Sequence, residues 1–239
     1  MTFVSDAPRP SIPIAHNDHR PAPEGATFGN AILDSLSLVE RHVLAPSLKQ
    51  VPLRVGECLE PPGQPIGYVY FPVEGLISMF AGATPGTRIE IATVGNNGMT
   101  GPVVLLGDMS AGEALVQAAG SAWRIAAGPL QQLAELHPAL HRTLLAHVGV
   151  ALRQVMDTVC YSGRATIVER LAHWLLQAAE RLDARRLVIT HDTLAEILGV
   201  RRPSVTTSLQ VLEGRHLIRS TRRAIVVLDP QGLAEVARR

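Results

Sequence analysis

Two short apolar stripes, separated by a glycine and two arginines, constrain how the last third of this chain can fold. In the segment ITHDTLAEILGVRRPSVTTSLQVLE (189–213), the first stripe contains Leu194 and Leu198, and Gly199 follows it. Glycine readily adopts the positive φ angle that ends one helix and turns the chain sharply into the next. The spacing therefore predicts two helices packed against each other across a tight turn.

The residues around this turn have the side chains that such a motif requires. Thr190 is a candidate N-cap for the first helix, because its hydroxyl can accept a hydrogen bond from a free backbone N–H. Pro203 suits the first turn of the second helix, where a missing N–H costs nothing. Val205, Leu209 and Leu212 recur at helical spacing and predict the buried side of that helix.

The other side of the second helix carries short polar side chains beside arginine, and a basic segment follows it. HLIRSTRRAIVVLD (216–229) predicts two strands around an arginine-bearing turn. Helix, glycine turn, helix and basic strand pair together predict a winged helix-turn-helix, whose second helix enters a major groove of DNA. The candidate DNA-binding residues are Arg201, Arg202, Ser204, Thr206, Thr207, Gln210, Arg222 and Arg223.

We expect these residues to divide into base contacts and phosphate contacts. Arg202 can form a bidentate pair with guanine, worth roughly 1–3 kcal/mol of base discrimination. Thr206 and Thr207 can contact a thymine methyl group or a phosphate. Arg222 and Arg223 can bind phosphates, which sets affinity and register without reading sequence. The alternative is a helical hairpin used for protein contacts.

The distribution of charge favours a polyanionic partner for the C-terminal third. Residues 161–239 hold 13 Arg against 8 Asp plus Glu, although the whole chain has a formal net charge of only +1. A basic third on an acidic body suits double-stranded DNA as the partner. An ordinary solvated surface is the alternative interpretation of the same charges.

The first half of the chain has a different pattern. Residues 51–125 contain short segments rich in Val, Ile, Tyr and Phe between turn segments such as EPPGQP and GATPGT, which predicts an antiparallel barrel or sandwich. The preceding segment, from Ile32, predicts one or two short helices ending near Pro46. Residues 1–26 contain five prolines and predict a disordered tail, because they cannot bury enough apolar surface to offset the entropy of ordering.

A longer apolar repeat lies between these two regions. The segment HPALHRTLLAHVGVALRQVMDTVC (137–160) has apolar residues at steps of three and four, a heptad seam longer than an ordinary globular helix needs. The helix packs either on its own barrel or against its copy in a second chain. The candidate dimer-interface residues are Leu145, Val148, Leu152, Val155 and Val159.

The C-terminal motif, the long helix and the strand-rich body together resemble the Crp/Fnr family of bacterial transcription regulators. The likeness is most specific in ERLAHWLL (169–176) and THDTLAEILGVRRPSVTTSLQVLE (190–213). The body segments GYVYFPVEGLIS (67–78) and VGNNGMTGPVVLLG (94–107) resemble the family's sensor domain.

The resemblance implies an α+β fold: an N-terminal antiparallel β-roll of the cyclic-nucleotide-binding type, a long dimerisation helix and a C-terminal winged helix-turn-helix. It also implies a homodimer that binds a two-fold symmetric DNA site and contacts RNA polymerase, and it favours the second chain as the partner of the heptad seam. The expected divisions are a disordered tail at 1–26, a β-roll domain at 27–136, a dimerisation helix at 137–161 and a DNA-binding domain at 162–239.

The resemblance also bears on which DNA sequence is read. Arg202 matches the first of three DNA-reading positions in the family's best-known member. Pro203 replaces the glutamate at the second position, and Thr207 replaces the arginine at the third. The first contact is expected to carry over, but the target sequence of that member is not expected here.

The sensor segment lacks the residues that known effectors of the family require. Cyclic-nucleotide binders use a Gly-Glu pair and, after a short loop, an Arg-Ser pair; here residues 98–101 replace the first, and Gly112 and Glu113 stand in place of the second. A glutamate would repel a phosphate, so we do not expect cyclic AMP to bind. Two cysteines, Cys58 and Cys160, exclude an iron–sulfur cluster with four cysteine ligands, and haem is not supported.

The remaining candidate groups favour ordinary structural roles. His137 and His141 stand four residues apart, a spacing that can hold a metal, but we expect surface or interface histidines and no metal site. Cys160 is either a redox thiol at a hinge or, as we expect, a partly buried inert cysteine. No cofactor is predicted and the cofactor-binding residues stay unknown, so the β-roll either senses an unidentified signal or serves as a scaffold.

Other classes of function receive little support. We find no nucleophile–base–acid set and no phosphate-cradling glycine loop, so we do not expect an enzyme. No apolar run approaches the roughly 20 residues that span a bilayer, and the N-terminus lacks the pattern of a signal peptide, so we expect no membrane partner and a cytoplasmic location. The sequence predicts a homodimeric, sequence-specific DNA-binding regulator; the alternative is a ligand-binding module whose winged helix contacts protein.

Overall fold

The computed structural model describes residues 27–82, 88–107, 109–110, 112–221 and 223–238. The predicted tail at 1–26 and the candidate residue Arg222 lie outside the described residues. The helices are α1 (Ala31–Ser35), α2 (Leu38–Leu44), α3 (Ala127–Leu136), α4 (Pro138–Ser162), α5 (Ile167–Arg181), α6 (His191–Leu198), α7 (Arg202–Gly214) and α8 (Pro230–Ala237). The strands are β1 (Lys49–Leu53), β2 (Cys58–Glu60), β3 (Tyr68–Ala81), β4 (Ile89–Val94), β5 (Gly112–Ala126), β6 (Arg186–Leu187), β7 (Ile218–Thr221) and β8 (Ala224–Val227).

Two long strands, β3 and β5, form the centre of the larger sheet. They pair antiparallel from Tyr68 opposite Ala126 to Ala81 opposite Gly112. β1 and β2 pair with β5, and β4 pairs with the outer half of β3. The register shifts near Gly75, whose φ of 96° suits glycine, and such bulges bend a strand. The predicted α+β fold, with an antiparallel β-roll before a long helix and a winged helix-turn-helix, is confirmed.

The short helices and the start of α4 close one side of this roll. Ile32 of α1, Leu130 of α3 and Phe71 of β3 are fully buried in one apolar cluster. Leu140 and Leu144 bring the first turns of α4 into the same cluster. The N-terminal half of the long helix therefore packs on its own roll.

The C-terminal half of α4 presents an apolar stripe that the described chain does not cover. Leu152, Met156 and Val159, at steps of four and three, are 61%, 58% and 61% exposed. The other members of the predicted seam are half-buried: Leu145, Val148 and Val155. The predicted seam continued from Leu152 to Val155, whereas in the structure the exposed residue one turn after Leu152 is Met156.

Helix α5 joins the roll to the C-terminal domain through a buried carboxyl group. Glu90 of β4 is buried, and its Oε1 accepts a hydrogen bond from the Trp174 indole N–H at 2.8 Å, while Oε2 bonds with the Ser78 hydroxyl. Trp174 also shares an apolar cluster with Phe80 of β3. Burial raises the pKa of Glu90 to about 8, although both hydrogen bonds and the charge of Arg181 lower it.

The C-terminal domain contains a third strand, β6, and a helix, α8, that were not predicted from the sequence. The strands lie in the order β6-β8-β7, so β6 pairs with β8 on the edge opposite β7. Helix α8 packs on α5. Asp229 caps α8 by accepting hydrogen bonds from Gln231 and Gly232, and Pro230 begins it, a local signal that the sequence contains.

The raised pKa of Glu90 predicts how stability changes with pH. The unfolded carboxyl ionises near 4.5, whereas the folded one ionises near 8, so the folded state binds the extra proton between these values. The contribution of the protonated Glu90 carboxyl to the free energy of unfolding is fully present below pH 4.5 and is lost as pH rises through 8. Between these values the free energy of unfolding falls with a slope approaching about 1.4 kcal/mol per pH unit. In urea denaturation, the stability of the wild type should therefore fall relative to Glu90→Gln between about pH 6 and pH 8.

The matched control for this experiment is Glu235→Gln, which changes a carboxyl on α8 that is not buried. It should follow the wild type at every pH. A constant difference between the wild type and Glu90→Gln would show that the Glu90 carboxyl does not change its protonation on folding.

Candidate DNA-binding interface

Local signals shape the turn between α6 and α7. Thr190 caps α6 by accepting a hydrogen bond from the Thr193 N–H at 3.1 Å. Gly199 ends the helix with a φ of 61°. The Val200 N–H then donates to the Ala195 carbonyl at 2.9 Å, and Val200 packs against the core. The chain therefore passes from the end of α6 at Leu198 to the start of α7 at Arg202 through a short, sharp turn.

Helix α7 has one buried side and one open side. Val205, Leu209 and Leu212 are at most 2% exposed and join the apolar cluster of α5 and α6. Ser208 is also buried, a position that the sequence analysis left unassigned. Pro203 lies in the first turn. The buried side fixes which residues of α7 face outward.

The open side contains the six predicted α7-region residues. Four of them are exposed and two are half-buried: Arg201, Arg202, Thr207 and Gln210 in the first group, and Ser204 and Thr206 in the second. The structure thus brings them together on one surface at the start of α7. This is the end of a recognition helix that reaches base edges in helix-turn-helix proteins.

The threonine hydroxyls on this surface already have partners within the protein. Thr206 Oγ1 donates to the Arg202 carbonyl at 3.2 Å, and Thr207 Oγ1 donates to the Pro203 carbonyl at 3.1 Å. The His191 ring Nδ1 lies 3.1 Å from Thr206 Oγ1. The Thr206 hydroxyl therefore lies between the Arg202 carbonyl and the His191 ring.

The first turn of α6 also contacts Arg202 directly. Asp192 Oδ1 lies 3.4 Å from Arg202 Nε, and both side chains are largely exposed. His191 and Asp192 could not be assigned to this surface from the sequence, because their closeness to α7 depends on how α6 and α7 cross. An exposed pair of this kind contributes at most about 1 kcal/mol to stability, so its main consequence is the orientation of the Arg202 side chain.

The predicted wing follows α7. Strands β7 and β8 pair from Ile218 opposite Val227 to Thr221 opposite Ala224. Arg223, at the turn between them, and Arg219, on β7, are both exposed. Arg219 was not among the predicted residues, although its place beside a basic turn is a signal that the sequence contained.

The other end of α6 is tied to the β-roll by an arginine. Arg88, just before β4, forms ion pairs with Glu113 of β5 and Glu196 of α6, and its Nε donates to Glu196 Oε1 at 2.8 Å. The guanidinium also lies 4.7 Å from the centre of the Phe80 ring. Glu113 is thus engaged in a contact between the roll and the helix-turn-helix.

The candidate metal and thiol residues lie at the two ends of α4. His137 is the N-cap residue, His141 lies in the first turn, and both are half-buried. No cluster of three or more His, Cys, Asp or Glu side chains suited to a metal occurs among the described residues. Cys160 is exposed, not partly buried, because it lies on the C-terminal half of α4 that the described chain leaves uncovered.

Comparisons with known proteins agree with this geometry. The family model of the Crp-like helix-turn-helix domain matches residues 169–236. The global nitrogen regulator of Synechocystis sp. is 23% identical over 187 residues, which cover 73% of this chain and 82% of that protein. FixK2 from Bradyrhizobium japonicum has a TM-score of 0.68 at 24% identity, covering 79% of this chain and 96% of its own. A Crp/Fnr family regulator from Thermus thermophilus has a TM-score of 0.66 at 25% identity, covering 80% and 99%.

A β-roll, a long helix and a Crp-like helix-turn-helix in this order define a class of DNA-binding transcription regulators. Residues 169–236 of this chain match the Crp-like helix-turn-helix domain, and its fold is similar to that of Crp/Fnr family regulators. Within the part of the chain that the structure describes, no helix combines the length and apolar character needed to cross a membrane.

Gly199 offers a direct test of the turn geometry. A Cβ at this position would meet Ile89 atoms at 3.6 Å, an ordinary contact, so the effect of Gly199→Ala should come from the left-handed backbone. We expect it to destabilise the protein by about 1–2 kcal/mol, measured by urea denaturation.

The control is Gly214→Ala near the end of α7, where a Cβ would meet nothing within 4 Å and φ is not positive. That change should be neutral or stabilise by up to about 1 kcal/mol. Equal effects of the two substitutions would contradict the assigned turn.

Proposed function

We propose that this regulator is a homodimer that binds a two-fold symmetric DNA site by placing the start of α7 in the major groove. The observation that carries the proposal is the open surface of α7, which gathers Arg202, Thr207 and Gln210 and is followed by the exposed Arg223 of the wing. Arginine beside short hydroxyl and amide side chains suits base edges, whereas the wing arginine suits phosphates. An acidic or apolar surface here would instead have favoured a protein partner.

The first experiment is the selection of bound DNA from a random pool with purified protein and nothing added. Enrichment of a two-fold symmetric site, with half-sites about 10 base pairs apart, supports the proposal. A binding affinity that does not fall with added salt would favour the alternative, a ligand-binding module whose winged helix contacts protein, because phosphate contacts release counterions.

Replacing Arg202 or Arg223 by alanine should change DNA binding in two different ways. Arg202→Ala should reduce the preference for one base pair per half-site by about ten- to a hundredfold. Arg223→Ala should weaken binding to all sequences alike and make the salt dependence less steep. Titrations against the selected site and its single-base variants measure both effects. An unchanged preferred sequence in Arg202→Ala would show that α7 is misplaced in the groove.

We assign dimerisation to the exposed stripe on α4. Leu152, Met156 and Val159 together present large apolar side chains at the heptad spacing that pairs two helices. The N-terminal half of α4 is occupied by its own roll through Leu140 and Leu144. The stripe that we propose for pairing lies beyond these two leucines, while Gln154 in the same half of α4 donates to the Thr93 carbonyl of β4 at 3.2 Å.

Leu152→Glu should split the dimer, because each copy would place a charge in the centre of the apolar seam. Sedimentation should then show a monomer, and affinity for the palindromic site should fall by at least tenfold. Val39→Glu on α2, a similarly exposed valine (72%) away from α4, is the control and should remain dimeric. A wild type that sediments as a monomer would overturn the assignment.

We further propose that the β-roll responds to a signal other than cyclic AMP. A cavity of about 720 Å³ between the roll, α4 and α5 supports a sensing role over a purely structural one. Glu113, engaged by Arg88, supplies negative charge where a cyclic phosphate would need a cation. The proposal includes neither an iron–sulfur cluster nor haem. From the likeness to Crp/Fnr regulators we further propose contact with RNA polymerase and action in the cytoplasm.

A further inference from the structure

The cavity lies at the junction of the two domains, and the roll, α4 and α5 all line it. Strand β4 contributes Ile91 to Val94, α4 contributes residues between 147 and 158, and α5 contributes His173, Gln177 and Arg181. Its volume of about 720 Å³ is within the range of small-molecule sites in proteins. A molecule bound here would touch both the sensor roll and the first helix of the DNA-binding domain.

Most of the cavity wall is apolar. Ile91 and Val94 on β4 line it together with Val148, Ala151 and Val155 on α4. A wall of this composition binds the hydrocarbon part of a ligand by removing apolar surface from water.

Arg181 is a cation in the wall with incomplete pairing. Its Nη1 donates to Gln177 Oε1 at 3.1 Å, but its Nε is buried without a hydrogen-bond partner. None of the ion pairs among the described residues includes it. Burial lowers the pKa of Arg181, although the charges of Glu90 and Glu180 raise it. The Nε–Nη2 edge of a guanidinium matches the two oxygens of a carboxylate.

The neighbouring carboxyl groups do not satisfy this charge. Glu90 attracts Arg181, but its two oxygens bond with Ser78 and Trp174, and its pKa near 8 keeps it largely protonated at neutral pH. Asp157 also lines the cavity but is exposed on α4. Glu180 also attracts Arg181, but it is exposed and forms no ion pair with it. Among the described residues, Arg181 thus has no carboxylate bonded to it.

The other charged or titratable groups in the wall lie elsewhere or are weaker candidates for binding an anion. Glu60 lies beside Thr100 and the Gly101 backbone, and burial raises its pKa. Burial lowers the pKa of His147 and His173, which favours their neutral forms. Arg153 lines the cavity but is exposed. Among the described residues, the segment between β4 and β5, where the family's cyclic nucleotides bind, thus places no cation in the wall.

We propose that this cavity binds a monocarboxylic acid with an apolar body, and that Arg181 on α5 holds the carboxylate. The inference rests on the proposed sensing function and names the chemical class of its signal. Because the acid would contact α5 on one side and β4 and α4 on the other, its binding would stabilise one placement of the DNA-binding domain on the roll. The occupied and empty proteins would then differ in affinity for DNA.

The test uses a fluorescent acid and its uncharged counterpart, dansylaminoundecanoate and its methyl ester, with the full-length protein. We expect the wild type to bind the acid at least tenfold more tightly than the ester. Arg181→Met should remove this preference while retaining binding of the ester, and Arg181→Lys should keep part of it. Arg153→Met, a change of the exposed cavity arginine, should leave the preference unchanged.

A second variant keeps the test decisive if Arg181→Met does not fold. Ala151→Phe fills the cavity without touching the cation and should abolish binding of both probes. Equal affinities for acid and ester, a preference that survives Arg181→Met, or failure of the wild type to bind either probe would each overturn the inference. DNA selection on the same wild-type preparation separates the two proposals: a selected site without acid binding refutes only the cavity assignment, and acid binding without a selected site refutes only the DNA-binding proposal.

Discussion

Helix α5 buries its apolar side against two partners at once, and the rest of the structure depends on this contact. Trp174 and Leu175 lie in one cluster with Phe80 of the roll and with Leu209 and Leu212 of α7. The roll and the helix-turn-helix therefore share a core and do not meet across a solvated surface. A shared core restricts relative motion much more than a polar contact would, since separating the domains exposes apolar side chains on both.

This packing determines where charged groups end up. It places Arg88 between Glu113 of the roll and Glu196 of α6, and it buries Glu90 against Trp174. It also places Arg181 in the wall of the cavity, with its Nε unpaired. A half-buried cation with an unpaired donor costs folding free energy, and incompletely paired groups in a cavity wall are candidates for binding sites. The most informative residues thus lie at the domain junction.

The recognition motif was predictable because its signals act over short distances. Thr190 as cap, Gly199 as turn and Pro203 in the first helical turn each depend on backbone groups within a few residues. The periodicity of Leu209 and Leu212 likewise followed from the helix repeat. The C-terminal helix α8 carried the same kind of signal at Asp229 and Pro230, and it could have been found in the same way.

Other features could not be predicted without the tertiary structure. The heptad pattern identified α4 as a long helix, but it did not show that Leu144 would face the roll and Met156 the solvent. A helix rotated by a fraction of a turn keeps the same spacing, so the tertiary contacts select the face. The contacts of His191 and Asp192 with α7 depend in the same way on the crossing of two helices.

The sequence by itself determined the order of the elements, the ends of the helix-turn-helix and the side of α7 left open to a partner, because caps, turns and periodicity are properties of neighbouring residues. Only the tertiary structure decided that Arg88, Glu90 and Arg181 would meet at one junction. Arg181 lies far along the chain from the other two. Their distances, burial and charge states are set by the packing of α5 on the sheet, which no local pattern encodes.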